Sequence, residues 1–278
     1  MLTATQSQVQ FCPACAGTAR TELGKKNGLS LSRCLQCSTV SIDKPSSPTQ
    51  GVFDYLDYYS QARFEDDPAS RRSIQSLVTS LNKFKETRRW LDMGFGEGAL
   101  LRAAEKEGWS CFGTEVSRDA LAYGTGREWE VSADPETDPR FQAGGFDVVT
   151  MIEFIEHVLD PAHFIASALK FLRPGGALYL TTPNARSLNA RLLGISWSVF
   201  APPEHATIWS PRGLASALSE QGFEIVKVKT EGLNPAEIIA RYRNRSRVDE
   251  TGECAPPVNR NQAAFTLNAA FSSSPFRR

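Results

Sequence analysis

Four cysteines near the N-terminus form two Cys-x-x-Cys pairs, Cys12/Cys15 and Cys34/Cys37, separated by residues 16–33. Each pair can sit in a tight turn with both thiolates facing one point. Two such turns make a tetrahedral sulfur site of the kind that holds Zn²⁺. A closed Cys₄ set leaves no open coordination position, so the zinc is expected to be structural. A redox Cys-x-x-Cys needs a βαβ setting, which this stretch lacks. Cys111 and Cys254 fall outside the pattern, as a core thiol and a stray one.

A second constellation is Asp92-x-Gly94-x-Gly96-x-Gly98, which follows a short apolar run and enters a helical pattern. Such glycines let the backbone approach a nucleotide-type cofactor at a helix N-terminus. The spacing is not Gly-x-Gly-x-x-Gly, and Glu97 and Glu115 would repel a pyrophosphate, which disfavours a dinucleotide. Glu115 ends the next strand, where an acid hydrogen-bonds ribose hydroxyls. A third constellation is Glu153-x-x-Glu156-His157, whose side chains share one face of a helical turn. It follows the fourth strand, at the carboxyl edge where α/β sheets place their sites. His205, after the fifth strand, reaches the same edge. Two carboxylates and two imidazoles suit Mg²⁺, Mn²⁺, Fe²⁺ or Zn²⁺. Without a metal, His205 or His157 is a candidate general base.

These residues need a scaffold, and the hydrophobic pattern supplies one. Ile74, Leu77, Val78, Leu81 and Phe84 recur at helical spacing over residues 69–86. From Arg89 onward strands and helices alternate. Strand 90–93 is followed by helix 99–107, which Gly108 closes, and then by strand 109–114. Ser117 caps a helix to about Tyr123, and a weak strand covers 128–131. Strand 146–151 leads to a helix opened by Asp160-Pro161. Pro174-Gly175-Gly176 turns into strand 177–181. Ser210-Pro211 opens a helix that Gly222 stops, before strand 223–229. The alternation predicts an α/β fold, a Rossmann-like, doubly wound, mostly parallel sheet with a small N-terminal zinc ribbon. The expected units are the ribbon (1–45), a linker and amphipathic helix (46–87), the sheet domain (88–231) and a C-terminal extension (232–278). The Pro/Ser-rich stretch 44–51 is expected to leave the ribbon independent of the sheet. Segment 185–203 is too long for a turn, and is either a substrate lid or a helix packed on the core.

The motif order resembles the class I S-adenosylmethionine (SAM)-dependent methyltransferases. The resemblance rests on the stretch 91–98, Glu115, Phe146-Asp147-Val148-Val149, residues 156–161, Arg173-Pro174-Gly175-Gly176 and Thr182-Pro183-Asn184. It implies that Asp92, Gly94, Gly96 and Gly98 hold the methionine end of SAM. It implies that Glu115 takes the ribose hydroxyls and that Val116 packs on the adenine. Two departures stand out. Residues 132–141 are unusually rich in Pro and Asp, leaving Asp134 as the candidate at the adenine edge. The antiparallel seventh strand of the family is not evident after Val258, which suggests truncation or replacement. The Glu153, Glu156, His157 and His205 set also resembles that of the small-RNA 2′-O-methyltransferases and the ubiquinone-pathway O-methyltransferases. That resemblance implies a divalent cation held against the acceptor hydroxyl. A Cys₄ ribbon before such a domain is similar to methyltransferases of glycan and natural-product biosynthesis.

Lys+Arg and Asp+Glu both number 31, so the net charge is zero. A dedicated nucleic-acid binder usually carries a basic excess, although Arg241, Arg243, Arg245 and Arg247 make a local basic run. No apolar run is long enough for a transmembrane span. Residues 1–10 are polar and lack a signal-peptide core. A cytoplasmic enzyme is expected, moving a methyl group from SAM to a hydroxyl of a small molecule or glycan precursor. The rivals are an RNA methyltransferase docking through the ribbon, an N- or C-methyltransferase without a catalytic metal, and a silent SAM-fold binding module. The intact glycine loop and Glu115 disfavour the last.

Overall fold

A computed structural model describes residues 10–43, 68–230, 233–244 and 267–272, with residues 68–70, 244 and 267–272 described by backbone alone. The stretch 44–51, the aromatic cluster Phe53, Tyr55, Tyr58, Tyr59 and Phe64, and Arg245, Arg247 and Cys254 lie outside the described residues. The chain opens with an antiparallel hairpin, β1 (Arg20–Lys26) and β2 (Leu29–Cys34), followed by β3 (Val40–Ile42). The hairpin turns at Asn27-Gly28, both with positive φ (50° and 78°), as a two-residue type I′ turn requires.

The alternating region follows the pattern read from the sequence. Helix α1 (Pro68–Leu81) precedes β4 (Arg89–Met93), α2 (Ala99–Lys106), β5 (Ser110–Thr114), α3 (Arg118–Gly126) and β6 (Glu130–Ser132). Then come β7 (Phe146–Ile152), α4 (Pro161–Phe171), β8 (Leu172–Thr181), α5 (Leu188–Leu193) and β9 (Thr207–Ile208). The chain continues with α6 (Pro211–Glu220), β10 (Glu224–Thr230), α7 (Pro235–Asn244) and β11 (Leu267–Ser272). The main sheet runs β10-β11-β8-β7-β4-β5-β6, parallel from β8 to β6. Residues 146–151 of β7 are all buried, because a central parallel strand covered on both faces has no solvent side. No helix among the described residues is long and apolar enough to cross a membrane.

Several expectations change. The seventh strand exists: β11 lies antiparallel between β8 and β10, with Ala269 opposite Leu180 and Val228. Its sequence, Leu-Asn-Ala-Ala-Phe-Ser, has little β-propensity. Pairing on both edges makes the strand, so its sequence does not announce it. Helix α3 runs to Gly126, and Ser117 stands at its N-cap position without a side-chain cap bond. Pro174-Gly175-Gly176 lies within β8 rather than before it.

The larger correction concerns the ribbon, which is not independent of the sheet domain. The two-residue strand β9 pairs with β3 and completes a sheet β1-β2-β3-β9. Cys12, Ala14, Cys34 and Cys37 share one buried core with Trp209 and Leu214. Segment 185–203 is the bridge between the two parts. Leu193, Trp197 and Phe200 are buried against Leu31 and Val40 of the ribbon, with Ile238 of α7 packed alongside. The packed-helix alternative for this segment is therefore the one realised.

Candidate active site

The cofactor loop leaves β4 at Met93 and enters α2. Asp92 is buried, and its Oδ1 accepts a hydrogen bond from Thr150 Oγ1 (2.6 Å), which itself accepts from Trp90 Nε1 (3.0 Å). Burial pushes Asp92 up to about 7, Thr150 partly offsets this, and Glu115 adds to it. Gly94, Gly96 and Gly98 all have positive φ. At Gly94 a Cβ would lie 2.4 Å from Cδ2 of Phe154, so only glycine allows that approach. Glu115 reaches back over the loop. Its carboxylate accepts from the N–H groups of Gly96 (3.1 Å), Val116 (2.8 Å) and Ser117 (3.3 Å). Val116 is exposed beside it. This glycine cradle, flanked by two carboxylates and an exposed valine, suits SAM. Asp134 is spent on its own loop, accepting from Glu136 N–H and Thr137 Oγ1.

Strands β7 and β8 are parallel neighbours, which brings the two acceptor-side loops together. Ligand atoms of Glu156, His157 and His205 all lie within 4.8 Å of one another. Glu156 is fully buried, with Oε2 accepting from Thr182 Oγ1 (2.9 Å) and Oε1 without a hydrogen-bond partner. His157 Nδ1 meets the Glu204 carbonyl at 3.0 Å, and His205 Nδ1 meets the Val199 carbonyl at 2.6 Å. Each Nδ1 therefore carries the proton and donates, which leaves the Nε2 lone pair of His205 available, while His157 makes a second hydrogen bond with the Glu153 backbone. His157 Nε2 lies 3.9 Å from Glu156 Oε1. Burial, with the neighbouring His205, lowers His157 to about 4, and burial likewise lowers His205. Both rings are thus neutral at pH 7, the state that ligates metals.

Glu153 stands outside this triad, beside it. It has positive φ (48°), its Oε1 is also buried with no donor on it, and its carboxyl lies within hydrogen-bonding reach of that of Glu156. Burial raises Glu153 to about 7, and burial with the Glu153 charge raises Glu156 well above the carboxylate range. Two adjacent buried carboxyl groups beside two neutral imidazoles fit a divalent cation. Sequence reasoning missed the groups that aim this set: Thr182, and the carbonyls of Glu204 and Val199. It also missed Phe154, whose ring rests on Gly94 and joins the acceptor turn to the cofactor loop. Of these only Thr182 had a signal, in its Thr-Pro-Asn motif.

In the ribbon, Cys12 and Cys37 Sγ atoms are 3.6 Å apart, and those of Cys15 and Cys34 are 3.7 Å apart. A tetrahedron with Zn–S near 2.3 Å has edges of ~3.8 Å, so the spacing fits one zinc. A hydrogen bond with Cys12 lowers Cys37 to about 4, and burial raises Cys15 to about 11.

A family described as a methyltransferase domain matches residues 65–228. The chain is 32% identical over 166 residues to a ubiquinone biosynthesis O-methyltransferase of Methylococcus capsulatus, covering 53% of this chain and 68% of that one. It is 34% identical over 130 residues to the like-named protein of Idiomarina loihiensis, covering 44% of this chain and 51% of that one. A solved SAM-dependent methyltransferase from Archaeoglobus fulgidus matches with a TM-score of 0.51 at 20% identity, over 80% of this chain and 100% of that chain. At that identity the likeness speaks for the fold.

Proposed function

The chain belongs to the class I SAM-dependent methyltransferases, and from that premise we propose that it methylates a hydroxyl of a small molecule or glycan precursor, with a divalent cation on the acceptor side. The observation that carries the reading is the convergence of Glu156, His157 and His205, each aimed by a second group. Similarity to relatives named as O-methyltransferases supports an oxygen acceptor. Zero net charge supports a small acceptor over nucleic acid, and we place the enzyme in the cytoplasm.

SAM supplies an electrophilic sulfonium methyl, so the protein's task is chiefly to position the nucleophile in line. Asp92 and the backbone of Gly94, Gly96 and Gly98 hold the methionine end. Glu115 takes the ribose hydroxyls, and Val116 covers the adenine. An alcohol is a poor nucleophile at neutral pH. A divalent cation at the triad would lower the pKa of a bound hydroxyl and orient its oxygen. Glu156, His157 and His205 would hold it, Thr182 keeps Glu156 in place, and the carbonyls of Glu204 and Val199 orient the two imidazoles. Glu153, raised to about 7 by burial and beside the Glu156 carboxyl, is placed to accept the acceptor's proton. The Cys₄ set holds a structural zinc through Cys12, Cys15, Cys34 and Cys37. A metal-free route with His205 Nε2 as general base is the second reading, favoured by that ring's neutral state.

Methyl-labelled SAM offered with pooled phenols, catechols, sugars, amines and RNA tests the reading. Label is expected in a hydroxyl-bearing pool. Label confined to amines or RNA would overturn it.

A further inference from the structure

The ribbon has no part in the chemistry described so far, yet it grips the His205 segment on both flanks. After His205, Thr207 pairs with Ser41 and Ile208 with Val40, and Ile42 N–H donates to the Ala206 carbonyl (3.0 Å). Further on, Ser210 Oγ donates to the Cys37 carbonyl (2.5 Å), and Ser210 N–H donates to Thr39 Oγ1 (3.2 Å). Before His205, the tip of the β1–β2 hairpin holds the chain. Asn27 Nδ2 donates to the Pro202 carbonyl (2.7 Å), and Lys26 Nζ donates to the Trp197 carbonyl (2.9 Å). The Val199 carbonyl, which accepts from His205 Nδ1, lies between those two gripped carbonyls.

We infer that the ribbon is the frame of the acceptor side, and that Asn27 and Lys26 are positioning residues which fix the tautomer and direction of the His205 imidazole through the 197–202 backbone. The inference rests on the reading of His205 as an acceptor-side group, but its test needs neither acceptor nor second metal. A carbonyl can orient an imidazole only if its own peptide is held. On the ribbon side, Trp197 and Phe200 are packed against Leu31 and Val40, and the backbone carbonyls of 197 and 202 that flank Val199 are held by those two side-chain donors from the hairpin tip. Small displacements here matter, since a misplacement of about 1 Å costs on the order of 100-fold in rate. Asn27 also has a turn reason to be Asn, but its amide donor is a separate feature. Asn27→Gly keeps a Gly-Gly hairpin turn and removes only the donor.

The chain has three histidines, so long-range ¹H–¹⁵N spectra can resolve each ring. His163 is exposed and serves as the internal control. The full-length, zinc-loaded protein is compared with Asn27→Gly and with Lys26→Met. In the parent, His205 should appear as the Nδ1–H tautomer alone. In each variant that single pattern should be lost to a mixture of tautomers, with His163, zinc content and S-adenosylhomocysteine affinity unchanged. An unaltered His205 pattern in both variants would overturn the inference. So would a parallel loss of zinc or of S-adenosylhomocysteine affinity, which would make the two contacts general stabilisers. Failure to methylate hydroxyls would instead count against the proposed function and leave these spectra as they are.

Discussion

Replacing Gly94 with Ala perturbs a contact that joins the cofactor loop to the acceptor-side turn. Gly94 has φ +73°, and its Cβ would sit 2.4 Å from Cδ2 of Phe154. Two costs add. An L-residue in the left-handed region costs about 1–2 kcal/mol. The added methyl overpacks the site at about 1–3 kcal/mol, since the Phe154 ring is backed by Phe164 at 5.1 Å. The expected loss of stability is therefore about 2–5 kcal/mol. Gly126→Ala is the matched control. Gly126 ends α3, and a Cβ there meets nothing within 4 Å. That substitution should stabilise by about 0.4–1 kcal/mol through the unfolded state. Urea unfolding followed by tryptophan fluorescence measures both, and calorimetry should show weakened SAM binding in Gly94→Ala alone. A Gly94→Ala midpoint equal to that of the parent would refute the reasoning.

Glu115→Ala should weaken SAM binding by about 1–3 kcal/mol, the cost of losing charge-assisted hydrogen bonds, and titration calorimetry reads it. Cys34→Ser should release the zinc and also lower the melting temperature of the sheet domain, because Cys34 shares its core with Trp209 and Leu214; an unshifted domain transition after zinc loss would argue for an independent ribbon. At the opposite sheet edge, burial pushes Asp147 up, but Arg173 and the N–H groups of Glu86, Thr87 and Arg88 outweigh it and hold the carboxylate below its ordinary value. A folded acid with a depressed pKa contributes stability above its unfolded value of about 4, and loses it as the pH falls through the folded pKa. Asp147→Ala should cost about 1–3 kcal/mol at pH 7 by leaving the N–H groups of Glu86, Thr87 and Arg88 without their acceptor, while Arg173 keeps Glu86 and the Phe84 carbonyl, with the gap to the parent closing in acid; a gap constant with pH would contradict this.

What the sequence made legible was whatever depends on local pattern. The five parallel strands, the Asp160-Pro161 and Ser210-Pro211 helix starts, and the glycine loop all carry their own signals. Strand β11 did not, because Asn268, Ala269 and Ala270 become a strand only between two partners. Strand β9 is two residues long, too short for any periodicity, yet it fuses the ribbon to the site. The convergence of Glu156, His157 and His205 followed from strand order. Their orientation did not, because the groups that aim the imidazoles are carbonyls of Glu204 and Val199, and a carbonyl has no residue identity to read.

The most direct measurement is turnover of an identified hydroxyl acceptor by enzyme freed of loosely held cations, with ribbon zinc content verified before and after. Methyl transfer should be lost, should return on titration with Mg²⁺ or Mn²⁺, and should not return in His205→Ala, whose SAM affinity stays at the parent value. Full activity in the stripped enzyme, or in His205→Ala, would contradict the assignment of Glu156, His157 and His205 as the cation site that activates the acceptor.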